Sequence, residues 1–294
     1  MDLSIDINGN KLRNPVMPAS GPLTANPAAC ERIAAQGVGA IVTKTISTTE
    51  AVVAKPAIAK VTCGMLNCEL WSEKEPQVWF SEYLPAIAAF GVPVIVSAGY
   101  QPEDLEKLIP PADRFAAAFE LSSHYLGTDP QPIYQIARTA KSLTDKPVFI
   151  KLSPHVPDLA QFARAAVSGG ADGIVAINSL GPALRIDIRK RSSPLGSKDG
   201  CGWLSGPAIK PIALRAVHTI AQAVDVPVIG VGGIASAEDM IEFMMAGASA
   251  VQLLTSAMIS GIDLFARIIA DLSPLLEELG IERITDLIGL WKAR

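Results

Sequence analysis

Cysteine is scarce in this chain of 294 residues, with four in all: Cys30, Cys63, Cys68 and Cys201. No two form a CxxC pair, and the spacings match no zinc or iron–sulfur pattern. Free thiols are expected, with no metal ligands among them; Cys30 falls on a helical stretch, and Cys63 and Cys68 in an irregular region. Charge is sparse too. Asp, Glu, Lys and Arg make up 18% and the net charge is −4, which argues against a disordered chain and against nucleic acid as a partner. Apolar runs are short and bounded by Gly or Pro, too short to cross a bilayer. Met1-Asp-Leu-Ser has neither the basic start nor the apolar stretch of a signal peptide, so a cytoplasmic protein is expected.

Apolar residues, at 49%, are plentiful enough for a large core. Eight short apolar runs read as strands: Val16–Ala19, Ala40–Lys44, Val94–Ala98, Ala116–Leu121, Val148–Leu152, Gly173–Asn178, Val228–Val231 and Ala250–Leu254. Most lack alternation, as parallel strands buried on both faces should. Helical patterns follow most of them, at Pro27–Ala35, Pro102–Leu108, Ile133–Ser142, Leu159–Ser168, Ala208–Ala223, Ala237–Ala246 and Asp263–Leu272, the last expected to stop or kink before Pro274. The repeated βα plan, with no break in composition, predicts an α/β chain folded as one (β/α)₈ TIM barrel over residues 1–294. Three segments exceed a minimal barrel. Met1–Asn14 reads as a hairpin turning at Asn8-Gly9 that covers the barrel floor. Ala51–Glu75 and Gly181–Ser205 are long insertions after strands 2 and 6, at the end of the barrel where active sites lie and where long loops often act as lids.

The runs Pro227-Val-Ile-Gly-Val-Gly-Gly233 and Gly247-Ala-Ser-Ala-Val-Gln-Leu-Leu-Thr255 end strands 7 and 8 in small residues. Loops there commonly hold a phosphate with backbone N–H groups, and Gly232 and Gly233 allow close approach; two tight turns without a ligand are the plainer alternative. Lys44 and Lys151 end apolar strands, where lysine needs a partner. Such a lysine fits a Schiff base, a counter-ion for a substrate carboxylate, or a stabiliser of negative charge on a reduced flavin, and the inventory alone leaves the three open. The basic run Arg185, Arg189, Lys190 and Arg191 suits either an anion clamp or a solvated loop; His155 and His218 read as solvated.

Asn14-Pro-Val-Met-Pro-Ala-Ser-Gly21, Thr43-Lys-Thr45, Lys151-Leu-Ser-Pro154, Leu204-Ser-Gly-Pro-Ala-Ile-Lys-Pro-Ile-Ala-Leu-Arg215 and Gly230-Val-Gly-Gly-Ile234 with Ala246-Gly-Ala-Ser-Ala-Val251 closely resemble the dihydroorotate dehydrogenase family. The likeness runs from about Leu3 to Leu272 and is greatest to the soluble class 1 branch, in particular its NAD-linked type. It implies an FMN-containing barrel. Ala19, Ser20 and Gly21 would pack on the isoalloxazine, with Lys44, Thr45 and Ser97 near its edge and Lys151 on N1/C2=O. Ser205, Gly206, Gly232, Gly233 and Thr255 would hold the ribityl phosphate. Leu254 stands where the family usually has Gly, and Leu does not easily adopt a positive φ. The resemblance also implies a homodimer or larger assembly, and an iron–sulfur/FAD subunit for coupling to NAD.

The substrate half departs from the pattern. The family run Glu-Leu-Asn-x-Ser-Cys-Pro-Asn, whose Cys is the base, is here Glu120-Leu-Ser-Ser-His-Tyr-Leu-Gly127. Ser122 stands at the first Asn, His124 at the Ser and Tyr125 at the Cys, which makes His124 and Tyr125 the acid/base candidates. In the loop after strand 2, Trp71 and Ser72 lie near an expected Asn, and Trp203 replaces a Gly. Lys44, Asn67, Ser72, Ser122, Asn178 and Ser179 are the substrate-side candidates, of which Asn178 retains the family residue. A ring site that loses several polar partners loses affinity, so the expected activity is hydride transfer between FMN and a ring C–C bond of dihydroorotate or a related small cyclic substrate. Three alternatives accompany it: a ring reductase with Tyr125 as proton donor, a flavoprotein subunit that only relays electrons, and a flavin-free lyase using Lys151.

Overall fold

The computed structural model describes residues 1–99, 101–122 and 125–291. β1 (Ile5–Ile7) and β2 (Asn10–Leu12) form the expected antiparallel hairpin about Asn8-Gly9, both of positive φ. Asn10 Nδ2 donates to the carbonyl of Ala117 and Asn8 Nδ2 to that of Asp172, ahead of two barrel strands, so the hairpin sits on the barrel floor.

The barrel strands are β3 (Val16–Pro18) and β4 (Ile41–Val42), then, beyond β5 (Ile58–Val61) and β6 (Gly64–Asn67), β7 (Val94–Ala98), β8 (Ala118–Ser122), β9 (Val148–Leu152) and β10 (Gly173–Ala176). After β11 (Leu180–Leu184) and β12 (Cys201–Ser205), β13 (Val228–Val231) and β14 (Ala250–Leu253) complete the set. The eight pair in the order β3-β14-β13-β10-β9-β8-β7-β4, and every ladder is parallel. Between the end strands, the Gly39 N–H donates to the Val16 carbonyl at 2.9 Å. These strands are buried almost throughout because helices cover the outer face and side chains fill the interior, which is why they read as unbroken apolar runs.

The helices are α1 (Pro27–Ala34), α2 (Pro76–Val78), α3 (Leu84–Ala88), α4 (Pro102–Ala112), α5 (Gln131–Leu143), α6 (Leu159–Ser168), α7 (Lys210–Ala221), α8 (Ala237–Met245), α9 (Thr255–Ser260) and α10 (Leu264–Glu278). Asn26, Asp158 and Ser236 cap α1, α6 and α8 by accepting a backbone N–H of the first turn. α10 runs through Pro274 instead of stopping before it. Proline forfeits one helical hydrogen bond, but Phe265, Ile268, Leu272 and Leu276 are buried on one face and hold the helix to the core across the gap. A helical stretch over 76–88, with a π turn at Trp79–Tyr83, was absent from the sequence expectation.

The two long insertions are more ordered than loops. β5 and β6 from the first and β11 and β12 from the second join as one antiparallel sheet, ordered β11-β12-β6-β5, above the barrel mouth. Ala59, Leu66 and Leu195 form a small core of their own on its face away from the cavity, since Ile58, Met65, Asn67 and Trp203 alternate with them toward the cavity. The basic residues of this arm stay in solvent. Arg185 donates to the Lys60 carbonyl, and Asp187 accepts from the backbone of Arg189 and Lys190.

Candidate active site

A cavity of about 250 Å³ opens at the C-terminal ends of the barrel strands, and its rim is completed by the four-stranded sheet. One wall is backbone. Gly206, Gly232 and Gly233 all have positive φ and are so closely packed that no side chain fits. A Cβ on Gly232 would lie 2.7 Å from Ala213 Cβ, and one on Gly233 2.7 Å from Lys210 Cβ and 2.9 Å from the Gly206 carbonyl oxygen. Only glycine brings the backbone so near the cavity here. Ser205 and Thr255 stand beside them, Thr255 Oγ1 donating to Ser205 Oγ at 2.8 Å. Lys210 braces the loop from behind through ion pairs to Asp239 and Glu242, and Asp239 also accepts the Ala235 N–H at 2.8 Å. Burial works against the Lys210 charge, but the hydrogen bonds and charges of Asp239 and Glu242 outweigh it and raise its pKa above the usual lysine value.

Leu254 has φ −141°, so this position needs no left-handed backbone. Its side chain covers Gly21, whose absent Cβ would sit 2.5 Å from Leu254 Cδ2; the two residues are matched in shape. Ala19 and Ser20 line the cavity next to them. A chain of hydroxyls leads inward, from Ser20 Oγ to Thr45 Oγ1 at 2.9 Å and on to Ser97 Oγ at 2.9 Å. Ser97 therefore supports Thr45 from below without lining the cavity.

The cavity floor is ionic. Lys151 Nζ lies 3.3 Å from Glu120 Oε1, and both side chains are almost wholly buried. Glu120 Oε2 accepts from Gln252 Nε2 at 2.6 Å, which fixes the amide so that its oxygen faces away from the carboxylate. Gln252 Oε1 is buried with no hydrogen-bond partner among the described residues, and Gln252 lines the cavity. Such an acceptor calls for a donor from the cavity's occupant.

The opposite wall is made of side chains. Asn67, Glu69, Leu70 and Trp71 come from the first insertion, Trp203 from the second, Ser122 from the end of β8, and Asn178 and Ser179 from the link between β10 and β11. Asn178 Nδ2 points to Ser122 Oγ at 3.5 Å while its Oδ1 accepts the Ser179 N–H at 2.8 Å. Asn67 Nδ2 donates to the Trp203 carbonyl, tying the insertions together. Lys44 Nζ is 2.8 Å from Glu69 Oε2.

Two sequence candidates lie elsewhere. Ser72 is buried outside the cavity, accepting from Trp79 Nε1 at 2.7 Å. The Tyr125 ring packs against Phe162 with centroids 6.0 Å apart and its hydroxyl beside Gly127, and it does not line the cavity. His124 lies outside the described residues. Cys30 is buried, which pushes its thiol up to about 12, and the other three cysteines are scattered free thiols. Among the described residues no three His, Cys, Asp or Glu side chains gather as a metal site, and no helix is long and apolar enough to cross a membrane. His155 is exposed but accepts the Gly181 N–H at 3.0 Å, and His218 packs edge-on to Trp291.

Sequence reasoning missed Glu69 and Gln252 as site residues. An amide in the buried run Ala250-Val-Gln-Leu253 was a readable signal for Gln252. Glu69 had none, because its partner Lys44 is 25 residues away in an unrelated segment.

Known proteins agree with this architecture. The family model described as dihydroorotate dehydrogenase matches residues 2–276. The chain is 36% identical to the protein named dihydroorotate dehydrogenase B (NAD(+)), catalytic subunit, of Pyrococcus furiosus, over 99% of both chains. It is 37% identical to the protein of that name from Pyrococcus horikoshii, over 98% of this chain and 97% of the other. Against its Geotalea uraniireducens counterpart the identity is 38%, with the same coverage. The chain belongs to the dihydroorotate dehydrogenase family of flavin-dependent oxidoreductases, which act on CH–CH groups.

Proposed function

We propose that this protein is an FMN-dependent oxidoreductase that moves a hydride between the flavin and a ring C–C bond of dihydroorotate or a related small cyclic substrate. The observation behind this reading is the pairing, in one cavity, of a glycine cradle at Gly206, Gly232 and Gly233 with the buried Lys151–Glu120–Gln252 network. The donor set suits FMN. Phosphate needs N–H groups at close range, and a flavin ring offers both donors and acceptors to Lys151 and to Gln252 Oε1. FMN, when bound, supplies a two-electron acceptor at N5.

The protein's own residues do the rest. Gly206, Gly232, Gly233, Ser205 and Thr255 would hold the phosphate. Ala19, Ser20 and Gly21 would flank the ring, with Leu254 closing the space over Gly21. Lys151 would hold positive charge at the N1/C2=O edge, its position set by Glu120. Asn178, Ser179, Ser122 and Asn67 offer amide and hydroxyl groups to a polar ring, and Trp71 and Trp203 supply flat apolar surface that excludes water. Tyr125 and His124 remain the acid/base candidates. For Tyr125 that role requires the ring to leave Phe162 when substrate binds, a rearrangement of the sort that tightens catalytic contacts only in the complex. The relatives are named as catalytic subunits, which supports an electron-accepting partner carrying FAD and an iron–sulfur centre.

The test is spectroscopic. The purified protein should release FMN on acid precipitation in stoichiometric amount, and an anaerobic dihydropyrimidine should bleach the flavin band. Flavin reduced by dithionite but by no cyclic substrate would leave an electron-transfer subunit, and a protein that takes up no FMN would contradict the reading altogether.

A further inference from the structure

Among the described residues the substrate wall of the cavity has one lysine, Lys44, and it is already matched. Lys44 Nζ and Glu69 Oε2 are 2.8 Å apart with side chains only 8% and 16% exposed. This is a fixed pair. The Glu69 N–H donates to Asn67 Oδ1 at 3.3 Å, Asn67 pairs with Trp203 across β6 and β12, and Asn67 Nδ2 donates to the Trp203 carbonyl at 3.0 Å. The sheet of the two insertions therefore sets where the Glu69 carboxylate sits. Lys151, the other lysine of the cavity, is held on the floor by Glu120. No arginine lines the cavity among the described residues, since Arg185 and its neighbours lie out on the arm.

A ring carboxylate entering this site would have to displace Glu69 from Lys44. It would then lie against a shielded carboxylate that had lost its cation, and both effects disfavour the anion. An uncharged ring meets no such obstacle. Asn67, Asn178, Ser122 and Ser179 satisfy amide N–H and C=O groups without a net charge, and Trp71 and Trp203 accept a flat ring.

We propose that Glu69 is a specificity-determining residue, which occupies Lys44 so that the pocket takes an uncharged, amide-bearing ring and rejects ring carboxylates. This deepens, and rests on, the reading of the site as an FMN-dependent ring oxidoreductase.

The experiment is equilibrium binding of the oxidised rings uracil and orotate to the FMN-loaded protein. Calorimetry and the perturbation of the flavin spectrum report binding without turnover. Uracil is expected to bind the unaltered protein at least about tenfold more tightly than orotate, the size of a missing charge-assisted contact. Glu69→Gln, which frees Lys44 with little change of shape, is expected to raise orotate affinity about tenfold to a hundredfold, with uracil within about threefold. Adding Lys44→Gln should abolish that gain. Orotate binding more tightly than uracil in the unaltered protein would overturn the inference, even if the variants do not fold. An orotate affinity unmoved by Glu69→Gln would also overturn it. If neither ring perturbs a flavin that is stably bound, the inference fails while the cofactor reading stands; if FMN is not retained, both fail.

Discussion

The two walls of the cavity are built by different means. On the side of β13 and β14, the contact surface is backbone. Gly206, Gly232 and Gly233 sit where any Cβ would collide, and the loop is braced by Lys210 and Asp239 behind it. On the side of the insertions, the surface is side chains from four separated segments: two are joined where β6 pairs with β12, and two stand at the ends of barrel strands. A backbone cradle recognises what every user of the same cofactor shares, and tolerates little change. A side-chain wall can be retuned one residue at a time, and here it carries Glu69, Trp71 and Trp203. On the function proposed above, binding of the cofactor and choice of substrate would thus be separable properties of one pocket.

The contrast can be broken or sharpened by substitution, beginning on the floor that both walls share. Lys151→Gln leaves Glu120, fully buried, without its cation, and should cost about 3–5 kcal/mol in urea unfolding. Joining it to Glu120→Gln should recover most of that loss, because the uncompensated charge is gone. Failure of the double variant to recover would mean that the pair is held by more than its charges.

Gly233→Val tests the cradle itself. The new side chain meets Lys210 Cβ and the Gly206 carbonyl at a φ of +85°, and should cost about 2–3 kcal/mol together with stoichiometric FMN retention. Retention of flavin at normal affinity would show that the phosphate is held elsewhere.

Ser72→Ala distinguishes scaffold from substrate wall. It removes the acceptor of the buried Trp79 Nε1–H, so about 1–2 kcal/mol of stability should go while ring-ligand affinity stays the same. A changed affinity at unchanged stability would return Ser72 to the substrate site.

The smallest effect is expected behind the cradle, from Lys210→Met, at about 1 kcal/mol at neutral pH for a partly exposed pair of contacts. The pKa of Lys210 is raised on folding, so its stabilisation is complete below the ordinary value of 10.5 and is lost as pH rises through the folded value. The stability gap between the two proteins should therefore hold up to about pH 10 and close above it, as read by chemical denaturation at several pH values.

The same contrast explains what the sequence disclosed. The barrel was legible because parallel strands buried on both faces leave unbroken apolar runs; Val94–Ala98, Val148–Leu152 and Val228–Val231 fall where expected to the residue. The cradle was legible because glycine is the one residue that its backbone tolerates. The insertions read as loops, since β5, β6, β11 and β12 are short, and the ladder that joins the β5–β6 hairpin to the β11–β12 pair, β6 on β12, reaches across more than a hundred residues. The 76–88 helix was hidden by Pro76 and Pro85, and α10 overran its expected end because tertiary packing outweighs one proline. The Lys44–Glu69 pair was invisible for the same reason as the sheet that makes it. Local pattern reports local structure, and the contacts that join this wall's segments are long-range.

The most direct measurement is an anaerobic titration of the FMN-loaded protein with 5,6-dihydrouracil and, separately, with dihydroorotate, following the flavin band. We expect bleaching by the uncharged ring at concentrations at which the carboxylate has little effect. Stoichiometric bleaching by dihydroorotate, with dihydrouracil inert, would contradict a retuned substrate wall and place this chain with an anion-binding site despite Glu69.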